Sequence, residues 1–110
     1  MTQLIDALAL TLKEQRAAEA IVEDTSEKMA LAKRKYLLEV LEAKTKDFRP
    51  LYPNEQSREL ALKARTDADL QYQAWRKVLR EAERKVTECK DEAAILEWRL
   101  KFELARMERR

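Results

Sequence analysis

The sequence predicts an all-α fold: a long antiparallel helical hairpin, a coiled coil with a short helix at its tip, dimerising into a helical bundle. Three observations predict it. The chain has no glycine and only two prolines, Pro50 and Pro53, which stand together near its middle. Charged residues make up 40% of it, yet the net charge is only +2 and 45% is hydrophobic. That is the composition of long helices rather than of a disordered polyelectrolyte. Apolar residues also recur in steps of three and four on both sides of the prolines, the helical period.

A first helix is expected over about 3–47. Ile5, Leu8, Leu12, Ala18, Val22, Met29, Ala32, Tyr36, Val40 and Ala43 keep helical spacing, with Gln15 and Thr25 read as interruptions. Leu10, Ala17, Ile21, Leu31 and Leu38 form a second stripe beside the first. One partner helix does not cover both stripes, which points to oligomerisation.

Residues 48–54 are read as the turn. Each proline lacks an N–H and turns its predecessor away from helical geometry. Asn54 stands where an N-cap belongs, with Glu55 at the positive end of a short helix over 55–65. Thr66, Asp67, Ala68 and Asp69 have capping-box spacing and place a kink near 66–67. A continuous helix is the competing reading there.

The long helix, 67–108, carries the strongest pattern. Positions 68, 72, 75, 79, 82, 86, 89, 93, 96, 100, 103 and 107 alternate steps of four and three, and only Glu103 among them is polar. A sustained seven-residue repeat is the seam of a left-handed coiled coil. At about 1.5 Å per residue the two long helices match, near 67 and 61 Å, so a short connection makes them antiparallel. A lone two-helix hairpin buries little against its ordering entropy. A homodimer is therefore expected, and Val78, Ile95, Trp98 and Phe102, outside the seam, are the candidate dimer or partner surface.

Much chemistry is excluded by composition. There is no histidine, no cysteine pair and no glycine-rich loop. Zinc-type ligation, phosphate cradling and histidine-activated nucleophiles thereby lose their usual parts. No enzymatic activity, cofactor, metal or small-molecule substrate is expected. Cys89 falls on the seam and reads as a small buried hydrophobe. No apolar run is long enough for a membrane span. The N-terminal stretch lacks a signal-peptide pattern, and a lone cysteine suits a reducing compartment, so a cytoplasmic location is expected.

Charge is polarised along the hairpin. Residues 33–80 hold twelve Lys and Arg against seven Asp and Glu, a net +5, and the remainder is −3. Lys44, Lys46, Arg49, Tyr52, Arg58, Arg65, Arg76 and Arg80 are the candidate contacts to a partner or to nucleic acid. Cations among aromatics suit phosphates and bases, or an acidic protein face. A solvated charged surface with no partner accounts for the same pattern.

The stretch from Tyr52 to about residue 100 resembles a loosely defined group of small helical coiled-coil proteins encoded by bacteriophages and mobile elements. Asn54, Arg58, Glu59, Asp67, Asp69, Tyr72 and Gln73 carry the resemblance. It implies a gene near phage replication and recombination functions and a bacterial host cytoplasm. It identifies no site. The expectation is a non-enzymatic interaction or scaffold protein, an accessory factor of phage-type DNA replication or recombination that docks a protein partner. Two alternatives stand beside it: a nucleic-acid-binding accessory using the basic tip half, and an inhibitor of a host enzyme or defence complex.

Overall fold

A computed structural model describes residues 1–109. It holds three α-helices: α1 (Thr2–Glu42), α2 (Glu55–Ala68) and α3 (Leu70–Glu108). No strand occurs among the described residues, only an isolated antiparallel bridge between Lys44 and Pro50. The chain packs as two compact units, Met1–Glu23 with Arg80–Arg110, and Asp24–Leu79.

In the first unit, the start of α1 packs on the end of α3. Thr11 and Glu14 share a groove with Cys89 and Glu92, whereas Glu19 and Val22 share one with Glu83 and Val86. Rising numbers on α1 meet falling numbers on α3, so the segments run antiparallel. Ala18, Ala82, Cys89, Ala93 and Leu96 are buried along this seam. Lys85 Nζ lies 3.5 Å from Glu14 Oε2 across it. Both groups are half-exposed, so the pair contributes little.

Burial revises the reading of α1. Gln15 and Thr25 do not interrupt its heptad but occupy it. Leu4, Leu8, Thr11, Gln15, Ala18, Val22, Thr25, Met29, Ala32 and Tyr36 advance in alternating steps of four and three, and all are buried or half-buried. Leu12 shares the half-buried edge, while Ile5 is exposed. The seam is regular in position and mixed in polarity. Thr11 stays satisfied by donating to the Ala7 carbonyl at 2.9 Å.

The next step, Tyr36 to Val40, is four again. An extra residue in the repeat rotates the seam relative to a strict heptad. This occurs in the second unit, which contains all of α2 as well as segments of α1 and α3. Val40, at 1% exposure, is the most completely buried large side chain.

Helix α1 ends at Glu42, five residues before the expected Asp47. The backbone of the next residues is diverted into a bridged loop. Leu51 N–H donates to the Ala43 carbonyl at 2.9 Å, and Thr45 N–H donates to the Arg49 carbonyl at 2.8 Å. Lys44 and Pro50 face each other between these bonds, a non-hydrogen-bonded position at which proline's missing N–H is not needed. Phe48 N–H closes the turn on the Thr45 carbonyl at 3.0 Å. Phe48 itself has φ 61°, the left-handed position that a three-residue hairpin loop requires and glycine commonly fills. Placing a β-carbon there costs about 1–3 kcal/mol.

Helix α2 begins as expected at Glu55 and runs past the expected 65 to Ala68. Ser57 N–H donates to Asn54 Oδ1 at 2.8 Å and Asn54 N–H donates back to Ser57 Oγ at 3.3 Å, a capping box with serine in the usual Glu or Gln place. The break falls at Asp69 rather than at 66–67, and α3 starts at Leu70 instead of 67. Thr66 is a buried residue inside α2. Asp69 N–H donates to the Thr66 carbonyl, while Asp69 Oδ1 accepts Tyr72 N–H at 3.0 Å. One residue thus ends one helix and caps the next.

Along α3, Tyr72, Ala82, Cys89, Ala93 and Leu96 are buried, and Trp75, Leu79, Val86, Leu100 and Glu103 are half-buried. The predicted seam holds from 72 to 103. Its ends, Ala68 and Met107, are exposed.

Candidate functional site

Two surface features stand out, one in each unit. In the first unit, Ile95, Trp98 and Phe102 follow one another on α3 at steps of three and four and remain exposed, Trp98 at 67%. The rings of Trp98 and Phe102 stack with centroids 5.8 Å apart and planes 16° apart. Met1, Ile5, Leu10 and Leu104 of the same unit are exposed as well. Val78, predicted as part of this surface, belongs to the second unit.

The second unit holds twelve Lys and Arg against nine Asp and Glu, and the first eleven against twelve. The polarity is therefore +3 against −1, milder than a division at residues 33 and 80 suggests. Its boundary also leaves Arg80 in the first unit.

The predicted contact residues separate into two groups. Arg58 is turned inward, its Nε donating to the Tyr52 carbonyl at 3.0 Å and its Nη2 to the Pro53 carbonyl at 3.3 Å. It ties the entry of α2 to its first turn, and Tyr52 is half-buried there. Arg65 pairs with Glu39 of α1 at 2.8 Å. Arg76 pairs with Asp67 at 3.0 Å and lies over the Tyr72 ring, 5.0 Å from its centroid. All three hold partners within the chain, while the Arg65 and Arg76 side chains stay about one-third exposed. Their partners lie up to 26 residues away, which no local pattern reveals.

Lys44, Lys46 and Arg49 form the other group. All three are exposed on the bridged loop, around a Phe48 that is itself 83% exposed. Among the described residues no ion pair engages them. Sequence spacing placed the cations here. It placed Phe48 beside Tyr52 at the turn, either closing the hairpin or exposed as a contact, but did not reveal the left-handed backbone of Phe48, which depends on a bridge between residues six apart.

A cleft of about 380 Å³ opens in the second unit, lined by Lys33, Glu59, Leu62, Lys63, Tyr72 and Arg76. Since Arg76 is committed to Asp67 and Tyr72, the cleft offers two lysines against one glutamate, a weak anion preference. Among the described residues no group of three or more Asp, Glu or Cys side chains could hold a metal ion. Cys89 is buried on the seam. No described helix is long and apolar enough to cross a membrane.

No known family, curated protein or solved structure matches this chain.

Proposed function

We propose that the chain is a non-catalytic helical interaction protein. In this reading it is an antiparallel coiled-coil hairpin that pairs with a second copy through the Ile95, Trp98 and Phe102 face. It docks a protein partner from its second unit.

The uncovered surface carries this reading. The chain exposes 8865 Å². A folded monomer of 13.0 kDa ordinarily exposes about 6,300 Å². The excess of roughly 2,500 Å² is as large as a substantial protein–protein interface buries. Stacked, exposed Trp98 and Phe102 are the residues best suited to its centre.

Light scattering tests the pairing. The expected mass is twice the 13.0 kDa of the chain, reduced to one chain by Trp98→Glu with Phe102→Glu. A wild-type monomer at about 1 mM, where even a contact worth about 4 kcal/mol half-forms, would overturn it.

Docking a protein is favoured over gripping DNA because Arg58, Arg65 and Arg76 already hold carbonyl or carboxylate partners within the chain. Labelled single- and double-stranded DNA should show no salt-sensitive anisotropy change at low salt; a steep salt dependence would reverse the preference. An accessory role in phage-type DNA replication or recombination extends the proposal and rests on the motif from Asn54 to Gln73 alone. Inhibition of a host enzyme or defence complex would use the same docking surface and differ only in the partner.

A further inference from the structure

We infer that the loop from Lys44 to Pro50 is a docking finger whose Phe48 ring enters an apolar, carboxylate-rimmed pocket on a protein partner. The inference rests on the protein-docking reading above and names the contact element and the chemistry it meets.

Phe48 combines an unfavourable backbone with an unrewarded side chain. Its φ of 61° suits glycine or asparagine, not a bulky residue. Strain of this kind persists where surrounding structure imposes it, and it gathers at functional sites. Here the Ala43–Leu51 and Thr45–Arg49 hydrogen bonds impose it. The ring, 83% exposed, gains little packing from its own chain in return. Glycine would make the same turn with less strain. A binding role accounts for the ring where the fold does not.

The surroundings define the partner. Lys44, Lys46 and Arg49 are exposed about the ring, and Asp47 is the only acid in the loop. An aromatic group at the apex of a narrow loop presents both faces, so a pocket covers more of it than a flat surface does. Cations at its base complement carboxylates at the pocket's rim. Because the bridge holds the loop closed before binding, little ordering cost remains to be met on docking. Nucleic acid fits less well, since a backbone track needs more cations than these three, and the nearby arginines are already paired.

Two measurements on the full chain test this. Phe48→Gly should leave Tm unchanged or raise it by a few degrees, up to about 5 °C. A lower Tm would show that the fold holds the ring, and would overturn the inference. In the source cells, Phe48 replaced by the photo-crosslinker p-benzoylphenylalanine should yield a protein adduct whose crosslinked peptide is apolar and flanked by Asp or Glu. The same group at the exposed Leu70 and at Lys63 serves for comparison. Lys44→Glu with Lys46→Glu and Arg49→Glu should cut the adduct about tenfold. A yield indifferent to charge reversal overturns the finger. Protein adducts from Lys63 but none from position 48 overturn it too, while leaving protein docking standing. Nucleic-acid adducts at every position would overturn both.

Discussion

Tyr36 of α1 donates its phenolic hydrogen to the carboxylate of Asp69, the single residue between α2 and α3. The same carboxylate caps α3 through Tyr72 N–H. One side chain therefore fixes the break between two helices and ties it to a third, 33 residues earlier in the chain. The bond holds Asp69 below the usual carboxylate range, Tyr36 being the largest cause and Tyr72 N–H the next. It holds the Tyr36 phenol above its usual value for the same reason.

A pH dependence follows in both directions. Asp69 is depressed on folding, so its contribution is complete above the ordinary aspartate pKa near 3.9 and fades as pH falls through the lower folded value. Tyr36 is raised, so its contribution is complete below the ordinary tyrosine pKa near 10 and fades as pH rises through the higher folded value. Thermal melts between these limits should therefore be flat with respect to this pair. Tyr36→Phe should lower Tm on that plateau and shrink the losses at both ends. Parallel curves for the two proteins would show that the bond contributes nothing.

Val40→Ala should cost about 2 kcal/mol, because two methyl groups leave a cavity at the most completely buried site. Urea unfolding followed by far-UV circular dichroism measures it. An equal loss from Leu38→Ala, which is exposed, would mean that α1 does not face the core as described.

Thr25→Val should stabilise by about 1 kcal/mol. Thr25 is 5% exposed on the α1 seam, and valine replaces a hydroxyl in that setting by a methyl group. The gain should appear as a higher urea midpoint at constant slope. Destabilisation would mean that the hydroxyl holds a partner there.

Cys89 should react with a thiol reagent only as the protein opens. It is buried between the antiparallel segments of the first unit, beside Thr11 and Glu14. Labelling by DTNB should be slow in buffer and complete at once in denaturant. Immediate reaction in buffer would place the thiol outside the seam.

The seam of α3 was legible because its period is local and almost every member is apolar. Ala82, Cys89, Ala93 and Leu96 fall where the alternation puts them. The seam of α1 has the same spacing, but Thr11, Gln15 and Thr25 occupy it, and polarity at those positions reads as a break in the repeat. The prolines signalled the turn without revealing its form. Pro50 stops a helix as easily as it faces Lys44 across a bridge, and only backbone contacts between distant residues separate the two outcomes. Arg58, Arg65 and Arg76 looked like free cations for a related reason: carbonyls and carboxylates elsewhere in the fold claim them. Asp69 has the spacing of the last member of a capping box that starts at Thr66, whereas its carboxylate caps α3 through Tyr72 N–H.

The bond from Leu51 to Ala43 shuts the loop at its base, so the residues beyond it hang from a fixed neck. What the loop carries is separable from the helices beneath. A foreign segment of similar length, grafted between Lys44 and Pro50, should leave the helices folded and, on the docking role proposed for the loop, change only what the protein recognises. The scaffold and its specificity are then two heritable traits, free to change at different rates.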